Sequence, residues 1–237
     1  MKSGEKLILK RLSDFYLNKK WHLMLFLLEF ISFPNKENAI LSEISHDETE
    51  LSLYASGSMG LYYDGKCRKT HPNATLNDSE DIDWCSNIPE KGAGKPWIGY
   101  ELKNKSVKIT GYSLRSGCCY YPCCIDDDKI LDSECCRNFY SFSLQGSNDN
   151  KTWKTIHRVE NDKDFMSCLV KTYDIKSQHE SYSYIRLVLD EQSPGSSYCM
   201  QLNQFEIYGE IGDNTFRQII IDDESDEYVS IIGKVRK

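Results

Sequence analysis

Apolar and polar residues alternate with a period of two through the centre of the chain. The segment Trp97-Ile98-Gly99-Tyr100-Glu101-Leu102 shows it, and so does Val107 to Leu114, with Val107, Ile109 and Leu114 apolar. Phe139 to Leu144, Trp153 to Ile156, Tyr184 to Leu189 and Phe205 to Gly209 continue it. In an extended chain successive side chains leave on opposite faces, so each segment predicts a strand with one buried face. Polar turn chemistry such as Gly146-Ser147-Asn148-Asp149-Asn150 separates the strands, and helical periods and βαβ alternation are absent here. Two packed antiparallel sheets are the natural way to bury such faces, which makes the predicted fold class all-β.

Upstream the pattern changes. Leu23 to Phe33 is strongly apolar but short and interrupted by Glu29, too short for the roughly 20 apolar residues of a spanning helix. Trp21, Met24, Leu25, Leu28 and Ile31 recur at helical spacing, so an amphipathic helix ending at Pro34 is favoured over a signal peptide. The expected organisation is a helical segment over 1–54, a β-sandwich over 55–211 and a flexible acidic tail over 212–237. The block from Asp222 to Glu227 defines that tail.

Composition narrows the partners. The 29 Lys and Arg against 36 Asp and Glu give a formal net charge of −7, which argues against nucleic acid and anionic membrane surfaces. Tyr supplies 15 of the aromatic residues, in keeping with half-buried pleated surfaces.

Five short motifs occur in an order that resembles discoidin domains, the coagulation-factor type C family. Ile109 to Ser116 resembles the strand that opens their core, and Phe142 to Asp149 their central strand and turn, with Trp153 following. Tyr184-Ile185-Arg186-Leu187 and Leu202 to Gly209 are similar to the last strands, and Asp83-Trp84-Cys85-Ser86 to the entry of the first loop. The resemblance implies a galactose-binding-like jelly-roll of about eight antiparallel strands with binding loops at one end. In such domains Arg186 would join a polar pair behind the sheet, most simply a salt bridge. Many sugar-binding members hold a structural calcium. Here Asp78, Glu80, Asp81 and Asp83 make the first loop acidic, but the last-strand acid falls on Gln204, with Glu206 two residues on. Calcium wants several hard oxygen ligands, so the missing carboxylate weakens that site.

Ten cysteines are many for a cytosolic protein, and six of them fall between Cys118 and Cys136. Three readings stay open. The adjacent pairs could staple a loop in an oxidising compartment. Cys119, Cys123, Cys135 and Cys136 could supply thiolates to zinc, although their spacing is irregular for a zinc site. Or the loop is reduced and carries nothing. Asn73, Asn77, Asn104 and Asn150 begin N-glycosylation sequons, which matter only if the chain is secreted.

Enzyme signatures such as H-E-x-x-H, G-x-S-x-G and the phosphate-binding loop are missing. With no such signature, the resemblance implies non-catalytic recognition of a glycan, a lipid headgroup or a protein surface through loops near 56–70, 84–96 and 116–138. Trp84, Trp97, Tyr120 and Tyr121 would stack on the ligand and Arg115 would hydrogen-bond it. No cofactor is expected beyond a structural zinc or calcium. The alternative is an intracellular structural or protein–protein adaptor with no small-molecule ligand, as in unicellular-eukaryote members where such a domain follows a helical BTB-type region. A cytoplasmic location is favoured, with a secreted or cell-surface one as the alternative.

Overall fold

The computed structural model describes residues 39–213, except 48, 78–81, 91–93, 119–120, 132–138, 166, 177–179 and 196. The predicted helix over Leu23 to Phe33 and the acidic block lie outside the described residues. Two antiparallel sheets face each other. The first has five strands, in the order β1 (Leu51–Ala55), β5 (Trp97–Leu102), β12 (Tyr184–Glu191), β9 (Ser141–Ser147), β10 (Lys154–Val159). The second has four: β11 (Val170–Asp174), β6 (Lys105–Ser116), β13 (Gln201–Asp213), β4 (Trp84–Cys85). The expected sandwich is thus present. β1 belongs to it, which moves the start of the sandwich ahead of the expected boundary at residue 55.

The core is the set of inward faces. Ile98, Tyr100, Phe142, Leu144, Ile185 and Leu187 of the first sheet meet Ile109, Tyr112, Leu114, Leu202, Phe205 and Ile207 of the second. Tyr100 stacks on Phe205 between the sheets, with ring centroids 5.1 Å apart, and its hydroxyl is 2.8 Å from Thr75 Oγ1. A buried aromatic thereby keeps a partner for its polar end. Gly146 is required by the close approach of Tyr182, since a Cβ there would sit 2.5 Å from that ring.

Strict alternation fails within single strands, and bulges account for it. On β6 the buried positions are Val107 and Ile109, then Tyr112 and Leu114. The pairing with β13 slips between Tyr208 and Gly209, leaving Thr110 as the extra residue. One added residue flips every later side chain to the other face. A second slip, between Leu202 and Gln204, leaves Asn203 as the extra residue on β13.

A short helix, α1 (Ile40–Ile44), closes one end of the sandwich. It lacks a side-chain cap of its own. Glu206 replaces it from β13: its carboxylate accepts the backbone N–H of Leu41 at 2.7 Å and of Ser42 at 3.0 Å. Glu206 thus has a structural role.

A third, small sheet lies at the opposite end, in the order β3 (Lys66–Lys69), β2 (Gly60–Tyr63), β7 (Cys123–Asp126), β8 (Lys129–Ile130). Disulfides fasten it. Cys124 bonds Cys67 on β3, and Cys123 bonds Cys85 on β4 of the sandwich. Cys118, just past β6, bonds Cys168 ahead of β11. The loops closed span 57, 38 and 50 residues. In the chain-entropy view each is worth about 4 kcal/mol against the unfolded chain, less where the loops overlap. Cys123 therefore has no thiolate to offer zinc, which removes it from the proposed ligand set; Cys119, Cys135 and Cys136 lie outside the described residues. Among the described residues no group of three or more His, Cys, Asp or Glu is placed to hold a metal ion.

Two outcomes follow. Glu206→Ala leaves buried N–H groups without an acceptor and lowers unfolding stability by about 3 kcal/mol in urea titration, with Glu206→Gln intermediate. Peptide mapping without reductant recovers Cys67–Cys124, Cys85–Cys123 and Cys118–Cys168 among its cross-linked pairs, and reduction lowers the unfolding midpoint while far-ultraviolet circular dichroism below that midpoint remains that of a β protein.

Candidate functional site

The β2–β3 hairpin turns on Asp64 and Gly65, both with positive φ (53° and 71°). A two-residue loop with left-handed backbone at both positions matches strand twist, and Asp-Gly is the sequence that adopts it readily. The turn presents Tyr63 at the end of β2 and the cationic run Lys66, Arg68 and Lys69 along β3. Facing it, Pro122 accepts the backbone N–H of Tyr62 at 2.9 Å, which brings Tyr121 beside Tyr63. Their ring centroids are 5.3 Å apart and tilted by 48°. The Arg68 guanidinium lies 4.1 Å from the Tyr63 ring centroid, a cation–π contact.

These side chains wall an open groove of about 580 Å³. Leu61, Thr70 and Asp83 form its buried floor, and His71, Asn73, Asn77 and Ile82 complete the rim. Thr70 ties the floor to the sandwich: its hydroxyl donates to Met59 O at 2.8 Å and accepts from the Cys85 N–H at 3.1 Å. Asn73 and Asn77 are carried by a tight 3-10 turn at Pro72–Leu76, fixed by Thr75, whose hydroxyl donates to Pro72 O at 2.8 Å.

Asp83 is fully buried. Its carboxylate accepts from Gln201 Nε2 at 2.6 Å, Asn203 Nδ2 at 2.7 Å and the Cys118 N–H at 3.1 Å. Neutral amides from β13 satisfy it, so it belongs to the framework beneath the groove. Asp78, Glu80 and Asp81 lie outside the described residues.

The predicted contact residues separate. Tyr121 is on the groove and 44% exposed. Trp84 is not a contact residue: it is fully buried in the core, and its indole N–H donates to Ser58 Oγ at 2.8 Å. Pairing of β4 with Leu202 turns that ring inward. Trp97 sits on the outer face of the five-stranded sheet, edge-on to Tyr54 at 5.5 Å, and lines a separate cavity of about 550 Å³ with Asn87, Pro89 and Lys95. Arg115, half-buried opposite Leu114 on β6, does not line the groove. Tyr120 lies outside the described residues. Arg186 does face away from Ile185 and Leu187, but its partner is neutral: Nε donates to Gln145 Oε1 at 2.8 Å, and the guanidinium stacks 4.0 Å from Trp153. Burial lowers its pKa from the ordinary arginine value.

Tyr63, Arg68, His71 and Asn73 were not singled out by the alternation pattern. The Asp64-Gly65 turn signal marks the hairpin that carries the first two. What places them against Tyr121 is the Cys67–Cys124 bond, which joins segments 57 residues apart.

No family model and no curated protein matches the sequence. Solved structures do match. One holds the CBM32-1 and CBM32-2 domains of Clostridium perfringens ZmpB, with TM-score 0.50 and 10% identity over 76% of this chain and 40% of that one. Another is CpGH89CBM32-5 of the same organism in complex with GalNAc-β-1,3-galactose, with TM-score 0.48 and 14% identity over 72% of this chain and 99% of that one. A third is the family 32 module of C. perfringens NanJ in complex with galactose, at TM-score 0.48 and 10% identity over 72% and 98%. The likeness is one of fold: the chain has an antiparallel β-sandwich like that of these modules.

Proposed function

We propose that the chain is a non-catalytic recognition module that binds a glycan bearing a carboxylate or sulfate in the groove walled by Tyr63 and Tyr121. The observation that carries this reading is the pairing of two exposed rings with a guanidinium on the wall of one groove. Sugar rings present C–H faces that pack on aromatic rings, and the hydroxyls at their edges need polar partners. His71 and Asn73 supply such partners on the rim. Arg68 and Lys69 add positive charge locally in a chain of net charge −7, which favours an acidic sugar over a neutral one. The volume lies within the roughly 300–1,000 Å³ of small-ligand sites.

The disulfides among the described residues support folding in an oxidising compartment, against the cytoplasmic location favoured from the sequence. An adaptor role without a small-molecule ligand would leave the groove's rings unused.

The test is a glycan array probed with chain made in a bacterial periplasm, followed by titration of the best acidic glycan. Tyr63→Ala and Tyr121→Ala each weaken binding at least about tenfold, equivalent to about 1.4 kcal/mol. Arg68→Ala weakens it similarly and flattens the dependence of affinity on salt. Trp97→Ala, on the outer face, leaves affinity unchanged. Equal binding by wild type, Tyr63→Ala and Tyr121→Ala removes the groove from consideration.

A further inference from the structure

Four Asn-x-Ser/Thr sequences occur, at Asn73, Asn77, Asn104 and Asn150, and all four asparagines are exposed. The disulfides point to a chain processed in a secretory compartment, and exposure leaves each acceptor open to carry a glycan on the folded chain. The four positions are not equivalent. Asn104 and Asn150 occupy left-handed turn positions, with φ of 59° and 56°, at strand ends remote from the small sheet. Asn73 and Asn77 stand on the rim of the groove itself.

The first of these sequons is informative. Thr75 is fully buried and its hydroxyl lies 2.8 Å from both Pro72 O and Tyr100 Oη. A transferase must reach that hydroxyl, so modification belongs to the unfolded chain. Folding then buries Thr75 and leaves Asn73 outside. The 3-10 turn fixes where an attached sugar begins: on the rim of the groove that Tyr63 and Tyr121 wall.

We propose that Asn73 and Asn77 carry N-linked glycans whose core sugars lie over the Tyr63–Tyr121 pair and cover the groove, while glycans at Asn104 and Asn150 leave it open. In the step itself the side-chain amide nitrogen attacks C1 of a lipid-pyrophosphate-linked oligosaccharide. An N–C bond forms, the C1–O bond to pyrophosphate breaks, its electron pair leaves with the lipid pyrophosphate, and the amide loses one proton. The rim glycans make access to the groove conditional on site occupancy or on trimming, whatever ligand the groove takes.

The experiment secretes the full chain from a eukaryotic host behind a supplied leader and compares it with N73Q/N77Q and N104Q/N150Q. Enzymatic deglycosylation in heavy-oxygen water followed by peptide mass spectrometry reads occupancy at each asparagine. Hydroxyl-radical footprinting reads the exposure of Tyr63 and Tyr121 without reference to any ligand. Occupied rim sites, with both tyrosines labelled several-fold faster in N73Q/N77Q than in wild type or N104Q/N150Q, are the expected result. If N73Q/N77Q is not secreted, enzymatic removal of glycans from the folded wild type gives the same rise. Empty rim sites, or equal labelling with and without rim glycans, overturn the proposal.

Discussion

Cys123 and Cys124 are neighbours on β7, and neighbouring side chains on a strand leave in opposite directions. That divergence holds the groove together. One sulfur reaches across the small sheet to Cys67, the other reaches down to Cys85 at the edge of the sandwich. A sheet of four short strands has little apolar area of its own, and Met59, Leu61, Cys85, Cys123 and Cys199 make up its buried cluster. A core that small does not fix ring positions to within an ångström or two. Covalent ties to a rigid neighbour do so, and the Tyr63–Tyr121 pair inherits its geometry from them.

Two buried carboxylates, one beneath the groove and one at the far end of the sandwich, are held by neutral donors. Asp83 is held by two amides and a backbone N–H; Glu206, at the far end of the sandwich, is held by backbone N–H groups of α1 and of its own strand. Both carboxylates are engaged in joining elements far apart in the chain. The bulge at Asn203 is what turns its amide toward Asp83, so an irregularity of pairing becomes a fixed point under the site.

The sandwich was legible because its signal is local and repeated. Six alternating segments, a turn at Gly146 to Asn150 and the absence of helical period lead to two facing sheets, and every one of those segments falls on a strand. The phase reversals on β6 and β13 were not legible, because a bulge adds a residue without any distinctive residue type. Of the proposed groove, the sequence offered Tyr121, an aromatic beside a cysteine-rich loop. Trp84, expected at the loops, is buried, since an aromatic next to a loop and an aromatic capping a core read alike until pairing sets the face. Tyr63 and Arg68 needed the disulfide connectivity, which spacing alone does not give.

The small sheet has a further property that comes from its border. β3 is an outermost strand, and a bare border can recruit a matching strand from another molecule. Lys66, Arg68 and Lys69 occupy it, Lys129 sits on the other flank, and Lys154, Arg158 and Lys171 stand on outermost strands of the sandwich. On the sandwich these cations are tied to carboxylates, Lys154 to Glu180, Arg158 to Asp190 and Lys171 to Asp162. A second copy pairing along such a border would have to strip water from charged side chains, a cost that bare apolar borders do not impose.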